Sequence, residues 1–163
     1  MTWLRYLIIA FTGVIIVALL SSQIYSLEQL RANGRIVLLE LRPVDPRALM
    51  MGDYMALQYA QDRSENIPQD KLEPQGTLIF TDKEGVGEFL RVGDVTTSDE
   101  EYKIAYIKER FGINIGSPRF YFENGTAQDY VSARYGVFKV DETGRAILVG
   151  LADENKNIIN PKR

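Results

Sequence analysis

The chain has 163 residues and a formal net charge of −3, with neither cysteine nor histidine. No cysteine means no disulfide, no thiol nucleophile, no thiolate metal site and no lipid-bearing cysteine. The lack of histidine argues against zinc, copper or haem centres built on imidazole and against a His-based triad. Acids and bases are interspersed without the basic patch a nucleic-acid surface needs, and no cofactor or metal is expected.

The first element is apolar. After a short segment at 1–5, no charged residue occurs from Tyr6 to Tyr25. As a helix, these 20 positions reach about 30 Å, the thickness of a bilayer core. Eleven of them are Leu, Ile, Val or Phe, which together favour insertion by about 3 to 7 kcal/mol. Trp3 and Tyr6 flank one end and Tyr25 the other, where amphipathic rings sit among lipid headgroups. A cleaved signal peptide would need small residues at alternating positions before the cut. Leu19-Leu20-Ser21-Ser22-Gln23-Ile24 provides no such pair, so residues 6–25 read as an uncleaved signal-anchor. Gly13 has Ile9 and Val17 at the helical offsets, so the helix lacks a small-xxx-small dimerisation face and reads as a plain anchor. A domain of this length crosses the membrane largely regardless of its own charge. The expected topology is an N-terminus in the cytoplasm of a bacterium and a C-terminal domain outside its cytoplasmic membrane.

Residues 26–34 form a juxtamembrane linker in which Ser26–Asn33 can continue the helix until Asn33-Gly34 ends it. Residues 35–152 read as a mainly β domain, a barrel or sandwich of seven or so short strands with one short helix near its C-terminal end. Arg35–Leu41 is the first strand, stopped by Pro43 and Pro46. Asp53 to Ala60 is the next, with Met55, Leu57 and Tyr59 on one face and Tyr54, Ala56 and Gln58 on the other. Gln61–Gln75 is a polar surface loop. Thr77–Thr81, Gly87–Val95 and Glu101–Lys108 are strands, the first two joined by a turn at Asp82–Gly85. Pro118–Glu123 is an aromatic-rich strand. Thr126 and Asp129 stand at a capping-box-like spacing ahead of a helix over about Ala127–Tyr135, which Gly136 ends. Val137–Asp141 and Ala146–Leu151 form a hairpin, and 153–163 is a flexible tail.

The densest signal is Gly52-Asp53-Tyr54-Met55-Ala56-Leu57-Gln58-Tyr59, approached through Arg42-Pro43-Val44-Asp45-Pro46-Arg47. Asp53 shares a face with Met55 and Leu57, where an unpaired carboxylate would be costly, so it should pair with Arg42, Arg47 or turn N–H groups. Gly52 suits a turn that needs positive φ. Gly-Asp-Tyr-x-x-Leu-x-Tyr resembles the signature of the GDYXXLXY family of bacterial membrane-anchored proteins. Phe120–Glu123, Tyr130 and the Gly144–Leu151 strand resemble that family's C-terminal half. The resemblance implies no assigned activity, and it implies a polytopic membrane protein as a partner. A weaker similarity is to signal-peptidase-type serine peptidases, in which a nucleophile loop leads into a Gly-Asp turn. From Arg42 to Gly52 this chain has no Ser, Thr or Cys, so the chemistry does not transfer.

The side chains singled out are Asp45, Arg47, Gly52, Asp53, Tyr54, Leu57, Tyr59, Glu123 and Tyr130, and none is assigned a catalytic role. Asp45 with Asp53, or Asp53 with Glu123, could serve as paired acids for glycoside hydrolysis, but turn capping and ion pairing with Arg42, Arg47 or Arg119 is the favoured reading. Tyr54, Tyr59, Phe120, Tyr121, Phe122, Tyr130 and Tyr135 could line a small-ligand groove, but more often such residues are core. The acidic runs Asp99–Glu101 and Asp141-Glu142 lack a calcium-loop spacing and read as solvated turns. The balance favours an interaction module over an envelope hydrolase or a ligand sensor. Intact-mass measurement on chain extracted from membranes is expected to show the apolar segment still attached; a mass lacking it would identify a cleaved leader.

Overall fold

A computed structural model describes residues 2–42, 50–51, 54–60, 67, 72–109 and 112–161. The N-terminal element, α1, is one helix over Thr2–Asn33. At about 1.5 Å per residue its 32 residues reach roughly 48 Å, so the helix outlasts a bilayer core and its last turns stand beyond it. Trp3–Asn33 is long and apolar enough to cross a membrane, and none of its most apolar 18-residue window is buried against the protein. Inside that stretch the Thr12 hydroxyl donates to the Ile8 carbonyl at 2.9 Å, so it needs no other partner in lipid.

The helix meets the domain in its last two turns. Leu30 is buried. The Gly34 N–H donates to the Leu30 carbonyl at 2.8 Å, and the Lys139 ammonium donates to the Gly34 carbonyl at 2.9 Å. A cation at this end also suits the negative pole of the helix. Gly34 admits nothing larger, because a Cβ there would lie 2.5 Å from the Leu30 carbonyl oxygen.

Ten strands follow. One antiparallel sheet holds β1 (Arg35–Glu40), β9 (Tyr135–Val140) and β10 (Ala146–Ala152) in the order β1-β9-β10. Its register sets Arg35 opposite Val140 and Glu40 opposite Tyr135, so the start of the domain is closed by its end. A second sheet has the order β5-β4-β6-β7, from β4 (Gln75–Lys83), β5 (Val86–Val92), β6 (Glu101–Glu109) and β7 (Gly112–Asn114). Between β4 and β5, Glu84 and Gly85 both have positive φ, 54° and 81°. That is the two-residue turn whose twist matches a hairpin, and the Asp82 carboxylate accepts the Gly85 N–H at 2.7 Å. The third sheet is small: β2 (Met50–Met51), β3 (Tyr54–Ala56) and β8 (Arg119–Tyr121), in that order. After the long helix, the β-rich region includes a sheet that curls as a half-barrel.

The sheets enclose one core. Val37, Leu39 and Leu41 come from β1 and its end, Leu78 and Phe80 from β4, Tyr102, Ile104 and Tyr106 from β6, and Phe138 and Val140 from β9. The alternation expected for β6 holds, with Tyr102, Ile104 and Tyr106 buried. Phe80 stacks on Tyr102, centroids 6.0 Å apart, and meets Phe89 edge-on. Gly87 is where β5 comes up against β1: a Cβ there would sit 2.9 Å from a Leu39 methyl carbon.

The short helix expected over Ala127–Tyr135 is only a 3-10 turn, Ala127–Tyr130. The Thr126 hydroxyl does not cap it but donates to the Glu123 carbonyl at 2.7 Å. Sheet pairing supplies the physical reason. The Arg134 N–H goes to the Ala152 carbonyl, the Leu41 N–H to the Arg134 carbonyl, and Tyr135 already opens β9. A nine-residue helix has little stability of its own to oppose those bonds. In the Gln61–Gln75 stretch, read as polar surface loop, Ile67 and Leu72 are buried in the core. β7 was not foreseen; its Ile113 is buried. The last segment turns back on β10. The Asp153 carboxylate accepts the N–H groups of Asn155 and Asn157, each at 2.9 Å. The Ile159 N–H returns to the Leu151 carbonyl.

Phe138 is fully buried, and a Cβ on Gly116 would approach its ring to 2.6 Å. Gly116→Ala is therefore expected to lower stability by about 1 to 3 kcal/mol through overpacking. Urea unfolding of the purified protein checks this, and an unchanged midpoint would show that the ring can retreat.

Candidate functional site

Two regions could carry function: the strand that includes β3, and the junction where α1 enters the domain. In the first, alternation places the side chains as β geometry requires. Met55, Leu57 and Tyr59 are buried, and Tyr54 and Ala56 are half-buried. Regular pairing ends early, at Ala56, and the following residues bind two distant segments. The Leu57 N–H donates to the Pro118 carbonyl at 2.9 Å, the Arg42 N–H to the Gln58 carbonyl at 2.8 Å, and Tyr59 bridges to Leu41.

Tyr59 goes deepest. Its hydroxyl donates to the Ser117 carbonyl at 2.8 Å, and its ring meets Phe138 edge-on at 5.4 Å. Gly136 makes room for both rings, since a Cβ there would be 3.0 Å from each. Tyr54 points the other way. It contacts the exposed Tyr121 at 5.8 Å, and the Arg119 guanidinium lies 5.5 Å from its ring centre. Tyr130 is buried beside Phe120 and Phe122, at 5.1 and 5.7 Å. Burial there pushes its phenol above the ordinary range, and Asp129 and Glu123 act in the same direction. Glu123 is exposed, and its backbone carbonyl accepts from Thr126. Of the singled-out side chains, the structure thus gathers Leu57 and Tyr59 into the core and buries Tyr130 under aromatic rings. Asp45, Arg47, Gly52 and Asp53, and with them the expected aspartate–arginine pair, lie outside the described residues.

The second region was not foreseen as a site. A cleft of about 770 Å³ opens between the last turns of α1, the start of β1, β6 and the β9–β10 turn. Ser26 and Gln29 line it from the helix, with Arg35, Lys103, Glu142 and Arg145 from the domain. Arg35 donates to the carbonyls of Asp99 and Glu100 at 3.1 and 3.4 Å and lies 4.8 Å from the Tyr102 ring centre. Lys103 reaches the exposed Asp94 carboxylate at 3.2 Å. Arg145 donates through Nε to Asp141 at 2.9 Å and reaches the Ser26 hydroxyl at 3.4 Å. Burial of Asp141 opposes its charge, but hydrogen bonds from Thr143 and Arg145 outweigh that and hold the carboxyl below its usual range. Burial pushes the Tyr102 phenol well above its ordinary value, and Asp82 adds to this against the opposing pull of Arg35.

One wall of the cleft rests on Glu101. Arg91 grips this carboxylate with two donors, at 2.9 and 2.7 Å, and the Thr97 N–H adds a third at 2.7 Å. The Arg91 contact and then the Thr97 N–H draw its pKa down to about 2. Little in the sequence marks this region. Ser26 and Arg145 are 119 positions apart, and the acidic runs Asp99–Glu101 and Asp141-Glu142 read in sequence only as solvated turns.

The chain belongs to the GDYXXLXY protein family, whose sequence pattern matches residues 16–151, more than half of its length. No curated protein and no solved structure matches it.

Because the folded-state pKa of Glu101 is depressed, its stabilising contribution is present above the unfolded carboxylate's pKa and is lost as pH falls from about 4.5 to about 2. Glu101→Gln should therefore unfold at lower urea than the unsubstituted chain at pH 7, with the gap closing towards pH 2. A gap independent of pH would show that the carboxylate's charge is not what holds this wall.

Proposed function

We propose that the protein is a membrane-anchored, extracytoplasmic interaction module that works beside a polytopic membrane partner and has no catalytic role. The observation that carries this reading is the form of α1. It is apolar over a bilayer's thickness, unburied along that length, and continuous into a domain that grips its end through Leu30, Gly34 and Lys139. An anchor joined by a flexible tether would leave the domain free to tumble. A continuous helix holds it at a set height and orientation over the bilayer, which suits a constant neighbour. The chemistry of the motif points the same way. Tyr59 and Leu57 are spent on the core, and the Arg42–Gly52 approach contains no hydroxyl or thiol nucleophile.

Family membership supports the membrane anchor without assigning an activity. On this reading the N-terminus lies in the cytoplasm of a bacterium and the domain outside its cytoplasmic membrane, since a domain of this length translocates largely regardless of charge.

Affinity purification in mild detergent is expected to recover an integral membrane protein at near-stoichiometric yield, and its absence would overturn the partner reading. The chain has no cysteine, so a single exposed probe at Val149→Cys reports topology cleanly. A membrane-impermeant maleimide should label it in intact spheroplasts; labelling only after lysis would reverse the orientation.

A further inference from the structure

We propose that the cleft at the exit of α1 binds a primary-amine phosphodiester, the chemistry of a phosphoethanolamine head. This inference rests on the membrane-anchored reading above.

Depth comes first. The apolar stretch ends at Tyr25, and Ser26 and Gln29 line the cleft. Along a helix these residues stand about 1.5 and 6 Å beyond Tyr25. The headgroup layer adds roughly 5 to 7 Å on each side of the hydrocarbon core. The mouth of the cleft therefore lies at the level of lipid heads. Its volume of about 770 Å³ falls in the ordinary range for small-molecule sites.

Charge then selects the ligand. Arg35 is held by two backbone carbonyls and an aromatic face, none of which cancels its charge, so it offers a fixed guanidinium to a phosphate. Arg145 and Lys103 line the same cleft, each already tied to one carboxylate. The opposite sign is present too. Glu142 is exposed, lines the cleft and has no cation partner among the described residues. The C-terminal pole of α1 adds partial negative charge. A purely anionic ligand would face Glu142 and that pole, and a purely cationic one would face Arg35. A zwitterion meets both. A primary ammonium can donate hydrogen bonds to Glu142, which a quaternary one cannot. Arg35 already covers the face of Tyr102, so that ring is closed to cation–π capture of a quaternary head.

The test uses the full chain in nanodiscs of equal parts phosphatidylethanolamine, phosphatidylcholine and phosphatidylglycerol, with retained lipid counted by native mass spectrometry. Phosphatidylethanolamine should be retained at about one per chain. Arg35→Gln and Glu142→Gln, both at exposed positions, should each lower retention about tenfold, Glu142→Gln with an unchanged thermal midpoint. In parallel, glycerophosphoethanolamine is titrated onto the chain in lipid-free micelles. Retention of the lipid without binding of the free head assigns the site to a membrane lipid. Comparable binding of the free head assigns the same chemistry to a soluble phosphodiester. Equal retention of the three lipids with no binding of the free head, or retention indifferent to both substitutions, overturns the proposal and leaves the anchor intact. Failure of the chain to enter nanodiscs at all overturns the anchor reading and the lipid site together.

Discussion

The constraint on which the domain depends is the burial of Tyr59 against Phe138. The two rings come from segments far apart in the chain and can meet only because Gly136 and Gly116 leave no side chain in their way. Around this contact, backbone bonds from Leu41, Arg42 and Pro118 converge on Leu57–Tyr59. The buried hydroxyl of Tyr59 is satisfied by the Ser117 carbonyl, so a phenol sits in the core without an orphan polar group. The last residues of the motif are thus a seam where β1, β3, the approach to β8, and β9 are joined. That role explains why an aromatic with a polar tip ends the motif. Phenylalanine would fill the space but leave the Ser117 carbonyl without this partner, and a smaller side chain would leave Phe138 facing a void.

A second constraint operates at the membrane end. A helix that ends in a free linker needs no particular residue after its last turn. This one needs Gly34, because Leu30 and Lys139 occupy the space where a Cβ would go, and Lys139 must reach the Gly34 carbonyl. The pairing of Arg35 with Val140 follows with only Gly34 between it and the helix end. There is no slack between α1 and the sheet, so a tilt of α1 would be felt directly by β1 and β9. The cleft is a consequence of that junction. A straight helix and a twisted sheet leave a wedge between them, and the β9–β10 turn supplies its far wall through Arg145.

The long apolar helix, the alternation in β6 and the inward face of the motif strand were legible in the sequence, because each depends on residues adjacent in the chain. The Glu84-Gly85 turn was legible for the same reason. The helix expected after Thr126 was a local reading that tertiary pairing overrode: Arg134 and Tyr135 had a sheet to join. Ile67 and Leu72 were hidden by the polar residues around them, since two isolated apolar side chains give no period. Of the motif's neighbourhood, the aspartates and the turn glycine lie outside the described residues. What could be followed there is the hydrophobic half, and it is structural.

The cleft was illegible for a different reason. Its charged residues look ordinary in sequence, and each has a local explanation: Arg145 closes a hairpin, Glu142 sits in a turn, and Arg35 begins a strand. Charge next to a turn is the commonest pattern on any surface. Only the fold brings the first residue of β1 and the last turn before β10 to the same side of α1, just past the end of its apolar stretch. On the membrane-anchored reading, three cations and a carboxylate with no cation partner among the described residues face the headgroup layer, the one part of the membrane that carries both signs. On that reading the rigid junction and the charged cleft serve one end: a domain held at a fixed height can keep such a cleft in register with the headgroups, whereas a tethered one could not.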